Sequence, residues 1–279
     1  MIKISCHTEN FGKGTPDEVL SFISKLGYEA IDVAARSLIP QQRILDNPEG
    51  EAAWLSELAG KYNLRLSELF LSSVEVGGES VSPSNPIAQQ EAHLESFRKI
   101  CRFAKAAGFE SIMGSAGDAG EDFAKSFDNA AAAFNLMCEI AEEYGVVLTV
   151  EPSRLSLLNT PAAALEMVAR APKLRYTLDL LHYHVNGFAQ EESMKLLPWT
   201  THMHARQAAV GWGKCPYEFG EIDYDLLVKR LRGMRWNGTI AIEYWCGPIE
   251  FADGISAVEQ NILMRYELQG LIKKYFVAQ

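Results

Sequence analysis

Eight short runs of β-branched and apolar residues alternate along this chain with longer segments of helical spacing. The runs cover residues 2–6, 30–34, 65–71, 111–114, 146–151, 176–179, 202–206 and 239–244. A strand followed by a helix can only return as a parallel neighbour, so strict alternation demands a parallel sheet with helices packed on it. The helical segments carry their own punctuation. Thr15-Pro16-Asp17-Glu18 is a capped start with proline in the first turn, and Asn159-Thr160 followed by Pro161 is another. Gly27, Gly108 and Gly145 stand where helices must stop, because glycine accepts the left-handed cap at no steric cost.

Eight such units without a linker predict an α/β fold, a single (β/α)8 TIM barrel over residues 1–279. Open, doubly wound sheets that hold dinucleotides place a glycine-rich phosphate loop after the first strand. Residues 6–14 contain no such loop.

Composition narrows the function classes. The formal net charge is −10 and no segment is rich in lysine or arginine, which argues against a nucleic-acid or membrane-surface partner. No apolar run reaches the length of a membrane span, and the N-terminus lacks a signal-peptide pattern. The five cysteines (Cys6, Cys101, Cys138, Cys215, Cys246) are scattered and never form a C-x-x-C pair. Reduced thiols, and so a cytoplasmic location, are the expectation. The long last helical segment is a candidate face for homo-oligomer formation.

In a barrel of this kind the reactive residues gather at the C-terminal ends of the strands. The fifth run ends in Glu151, the sixth in Asp179, the seventh carries His204 and the eighth Glu243. Period-two geometry turns each of them inward: His202, His204 and Arg206 share one face, Thr177 and Asp179 another, and Ala241 and Glu243 a third. Three carboxylates converging in a barrel are costly unless an ion or a counter-charge joins them, so one divalent metal is expected. Taken singly, each has an ordinary reading. Glu151 can end a strand, Asp179 can bind loop amides and His204 can be an interior histidine. Glu243, enclosed by Ile242 and Tyr244, resists such a reading.

Elsewhere, His182 follows Asp179 by three residues, within reach of a metal ligand or a substrate. His7, Glu68 and Trp245 lie near strand ends and are candidate pocket residues, with Glu68 equally a buried structural acid. His202 reads as structural, His184 as solvent-facing and His93 as mid-helix surface.

Together these residues, with the Gly-Glu-Ile-Asp-Tyr stretch at 220–224, resemble the xylose isomerase-like superfamily. Within it the chain looks like the sugar phosphate isomerase/epimerase group, beside tagatose-type epimerases, hydroxypyruvate isomerases and inosose dehydratases. The resemblance implies that Glu151, Asp179, His204 and Glu243 hold one divalent ion (Mn, Mg, Co or Zn). It also implies that His182 and Arg206 contact substrate oxygens, and that Glu151 and Glu243 are the catalytic acid/base pair. The activity so implied is isomerisation or epimerisation of a small sugar or keto-sugar through an enediolate, with dehydration as the alternative on the same scaffold. One departure stands out: residues 152–157 carry no acid, whereas ketose 3-epimerases have a carboxylate there. Endonuclease IV-type members need further histidines. The second run ends in Ala34-Ala35-Arg36, the third in Leu69-Phe70-Leu71-Ser72, and 215–217 read Cys-Pro-Tyr, so a three-zinc nuclease is not expected.

Overall fold

The computed structural model describes residues 2–11, 14–213, 215–244 and 256–277. Eight strands close into one barrel: β1 (Lys3–His7), β2 (Ala30–Ala34), β3 (Arg65–Ser72), β4 (Ser111–Ser115), β5 (Val147–Glu151), β6 (Arg175–Asp179), β7 (Thr200–Ala205) and β8 (Thr239–Ile242). Neighbours in sequence are neighbours in the barrel, every pairing is parallel, and β8 closes onto β1. All eight expected strands form, each within two residues of its expected ends.

The outer ring is α1 (Pro16–Lys25), α2 (Pro48–Lys61), α3 (Glu91–Ala107), α4 (Phe123–Tyr144), α5 (Pro161–Arg170), α6 (Tyr224–Gly233) and α7 (Ala257–Ile272). After β6 the chain uses two single-turn helices and a 3-10 segment, Leu181–His184, Gln190–Ser193 and Met194–Trp199, in place of one long helix. The start of α1 is a capping box. The Glu18 amide donates to Thr15 Oγ1, and the Thr15 amide donates to the Glu18 carboxylate. Gly108 (φ 86°) and Gly145 (φ 70°) end α3 and α4 in the left-handed region, where an added Cβ would strain the backbone. Among the described residues no helix is long and apolar enough to cross a membrane.

Alternation along the strands separates two environments. Ile112, Val150, Leu178, Met203, Ile240 and Ile242 face outward and are fully buried beneath the helices. The inner face is largely polar. Its lower level carries Ser5, Asp32, Glu68, Ser111, Thr149, Thr177 and His202, all buried. The upper level divides in two. Ala34, Phe70 and Met113 form a small apolar cluster on one side, and the acidic and imidazole groups stand on the other.

Candidate metal centre

Strand register brings the expected residues together. Asp179 on β6 pairs with His204 on β7, and His204 pairs with Ala241 on β8. Glu243 follows just beyond β8, where its amide donates to the Ala205 carbonyl. On the other side, Glu151 ends β5 opposite Ser115. The result is a cluster around one imidazole. His204 Nδ1 lies 2.7 Å from Glu151 Oε1 and 3.2 Å from Glu243 Oε2. His182 Nε2 lies 3.5 Å from Glu151 Oε2.

Ligand-capable atoms fall into two overlapping triads, each within 4.8 Å: Glu151 with His204 and Glu243, and Glu151 with Asp179 and His182. Glu151 belongs to both. Asp179 also accepts the Leu181 amide at 2.8 Å, so its ordinary role of starting the next helical turn is present too.

Arg206 supplies the counter-charge. Its guanidinium lies 2.6 Å from Asp179 Oδ2 and 3.1 Å from Glu243 Oε2, and the side chain is almost fully buried. Direct contact with substrate oxygens was the expectation for this residue. In the structure it pairs with two carboxylates, which offsets its own desolvation, while its Nε has no hydrogen-bond partner among the described residues. The backbone around it is clamped as well. Tyr224 Oη accepts the Arg206 amide and donates to its carbonyl, and Tyr244 Oη accepts the Gln207 amide. The Gln207 side chain donates to the Ile222 carbonyl and accepts the Ile222 amide. A Cβ on Gly220 would meet Gln207 Oε1 at 2.1 Å, so the glycine of the 220–224 stretch is what lets this loop fold back on β7.

Charge neighbours set the protonation states. Burial pushes the Glu151 carboxyl up, but the charges of His204 and His182 outweigh it and hold it well below the usual carboxylate range. Burial opposes ionisation of Glu243 as well, and Arg206 and then His204 overcome it. His204 is shifted the other way. Burial disfavours its imidazolium, yet Glu243 and Glu151 hold its pKa well above that of an ordinary histidine.

Three carboxylates against one guanidinium leave two uncompensated negative charges when His204 is neutral. That balance, with an imidazole nitrogen and carboxylate oxygens turned toward one another, fits a divalent cation of the Mn, Mg, Co or Zn type.

The other expected residues fall in several places. His7 is buried at the end of β1. Its Nδ1 accepts the Glu9 amide at 3.3 Å, and its ring stands 5.7 Å from that of His204. Glu68 is not at the mouth. It lies one level down, fully buried, accepting hydrogen bonds from Ser111 Oγ, Thr149 Oγ1 and Thr177 Oγ1 at 2.6–2.9 Å. Trp245 lies outside the described residues. His184 is half-buried and pairs with Glu221 at 3.0 Å instead of facing solvent. His93, expected on the helix surface, is 1% exposed and turns inward from α3 to line a small cavity with Leu71, Phe97 and Phe134.

Sequence reasoning missed Asp32. On β2 it is fully buried and lies 2.6 Å from His202 Nε2, while Ser5 Oγ donates to its other oxygen at 2.8 Å. The signal was an acid between Ile31 and Val33 in an apolar strand, the same signal that singled out Glu243.

A family model described as xylose isomerase-like TIM barrel matches residues 20–266. The chain belongs to that family. No curated protein matches it.

Solved structures of the same architecture do. A D-tagatose 3-epimerase-like protein superposes with a TM-score of 0.75 at 18% identity, over 98% of this chain and 99% of the other. A probable 3-DHS dehydratase from Bacillus anthracis superposes at 0.73 and 16%, over 96% and 99%. The 3-keto-D-glucoside 4-epimerase of E. coli superposes at 0.68 and 14%, over 95% and 100%. At these identities the likeness establishes the shared barrel alone.

Proposed function

We propose that this protein is a divalent-metal-dependent enzyme that isomerises or epimerises a small sugar or keto-sugar through an enediolate. The observation that carries the reading is the approach of both Glu151 and Glu243 to the His204 Nδ1 atom, at 2.7 and 3.2 Å. Two carboxylates this close to one point can both reach a substrate bound there. Glu151, Asp179, His204 and Glu243 are the residues that would hold the ion. When bound, the ion supplies Lewis-acid polarisation of a substrate carbonyl and its neighbouring hydroxyl.

The remaining chemistry belongs to the side chains. Both glutamates are held ionised by their neighbours, so either can remove a proton alpha to a carbonyl. Epimerisation follows when the other glutamate, having taken a proton from solvent, delivers it to the opposite face of that carbon while the first glutamate gives up its proton to solvent. Delivery to the adjacent carbon gives isomerisation. Arg206 keeps Asp179 and Glu243 fixed, while His182 and His7 offer hydrogen bonds to substrate oxygens. Ala34, Phe70 and Met113 form a dry wall on the far side of the barrel mouth.

Dehydration is a second reading, favoured by one observation. The turn after β5 lacks the sugar-holding acid, and Ser156 closes it on itself by donating to the Ser153 carbonyl at 2.9 Å. Loss of a β-hydroxyl from the same enediolate needs no such acid.

The test is a screen of ketoses, keto-inositols and cyclic keto acids in deuterated water, with each of the four metals restored. Deuterium at the alpha carbon of a product that keeps every heavy atom of the substrate supports isomerisation or epimerisation, and loss of one water from the product supports the lyase. Glu151→Gln and Glu243→Gln should each lower turnover of a confirmed substrate by about 10²–10⁴-fold. Unchanged turnover in both would remove the acid/base assignment.

A further inference from the structure

Below the mouth, the barrel interior holds a second group of ionisable residues. Asp32, Glu68, His202 and His204 bring ligand-capable atoms within 4.8 Å of one another, and all four are buried. Three of them satisfy each other or nearby hydroxyls. His202 Nε2 lies 2.6 Å from Asp32 Oδ2, Ser5 serves the other Asp32 oxygen, and three hydroxyls serve Glu68.

One atom is left over. His204 Nε2 is buried with no hydrogen-bond partner, 3.8 Å from Asp32 Oδ2 and 3.9 Å from Glu68 Oε2. Those separations exceed an N–H···O hydrogen bond by about 1 Å, a gap that a bridging water or a small ring movement closes.

We propose that Asp32 and Glu68 are positioning residues for His204, fixing its ring so that Nε2 carries the proton and Nδ1 faces Glu151 and Glu243 as the ligand nitrogen. The inference rests on the metal-dependent reading above. An imidazole has one proton to place when neutral, and two carboxylates beside Nε2 leave a single favourable tautomer. Carboxylates behind a ligating histidine also raise its basicity. This gives a reason for two acids in a barrel level where branched apolar side chains usually pack. It also accounts for His202, whose bond to Asp32 Oδ2 holds the carboxylate that faces His204.

The test measures metal binding and tautomer rather than turnover. Asp32→Asn and Glu68→Gln, checked for native far-ultraviolet dichroism, should each weaken Zn²⁺ and Co²⁺ binding about 10–100-fold in chelator competition. Asp32→Glu should recover part of that loss. Nitrogen NMR of ¹⁵N-histidine-labelled wild-type protein, with and without Zn²⁺, needs no variant and decides the matter even if the variants do not fold. The expected result is a His204 that is protonated on Nε2 and metal-bound through Nδ1.

Metal affinity unchanged in both variants would overturn the inference, as would a His204 ligated through Nε2. A second equivalent of metal that disappears with Asp32→Asn would overturn it too, because Nε2 would then be a ligand. Absence of metal binding in the wild type would overturn the proposed function and this inference with it. Tight binding with unaffected variants would leave the proposed function standing.

Discussion

His204 Nδ1 lies 2.7 Å from Glu151 Oε1, although β6 separates the strands that carry the two residues. With Glu243 Oε2 3.2 Å from the same nitrogen, the imidazole is the hub of the cluster. Its charge therefore governs how a metal would bind. Burial disfavours its imidazolium, but the neighbouring carboxylates outweigh burial and hold the His204 pKa well above the ordinary histidine value, which favours a proton on the ring in the metal-free protein.

Metal binding at Nδ1 must displace that proton. Below the raised pKa, affinity should fall about tenfold for each unit of pH lost. Calorimetric titration at about pH 6 and about pH 8, in buffers of different ionisation enthalpy, checks this through the proton released. Affinity independent of pH, with no proton release, would remove His204 Nδ1 from the ligand set.

Arg206 offers a stability test that does not involve metal. It is buried between Asp179 and Glu243, so Arg206→Met leaves two buried carboxylates without their guanidinium. Breaking a buried pair from one side costs about 3–5 kcal/mol, and denaturant unfolding of the metal-free variant should show a loss of that size. A loss below about 1 kcal/mol would mean that the ion pair is effectively solvated.

The Asp32–His202 pair makes stability depend on pH in a defined way. Burial raises the Asp32 pKa, but His202 outweighs it and holds the value below 3.8, so this contribution is present above 3.8 and lost as pH falls through the folded value. For His202, burial is outweighed by Asp32 and Glu68, and the pKa lies above 6.5. That contribution is complete below 6.5 and lost as pH rises through the folded value. The stability difference between wild type and His202→Gln, followed by urea unfolding, should therefore shrink on the alkaline side. A flat difference would show that His202 is neutral in the folded protein.

Gly220 is needed for space and not for backbone freedom, since its φ is −73°. Gly220→Ala would drive a methyl group into the Gln207 side chain and should destabilise the protein by about 1–3 kcal/mol. Adding Gln207→Ala removes the obstacle, so the double variant should lose less than the two single losses added together. Additive losses in the double-mutant cycle would mean that the contact does not set the loop.

Much of this protein is written locally in its chain. Strand and helix alternation, the Thr15 capping box, the glycine stops and the inward alternation of Thr177/Asp179, His202/His204 and Ala241/Glu243 all depend on near neighbours. The barrel and the acidic cluster follow from them. What local pattern cannot encode is which residue meets which across the barrel. Arg206 and Asp179 lie on adjacent strands with nothing in the sequence to pair them, and only closure of the barrel commits the guanidinium to carboxylates. Glu68 drops to the lower level because β3 sits in a particular register against β4, which puts Ser111 beside it. Asp32 stands out in its strand as an acid between apolar residues, but its partner His202, 170 residues away in the chain, is decided only when the barrel closes. His93 turns inward because α3 packs against neighbours that its own periodicity does not name. Side-chain alternation is a property of one strand and can be read from it. Shear, depth and cross-barrel contact belong to the closed sheet, and they decide which of the buried acids surround His204 Nδ1 and which stand behind it.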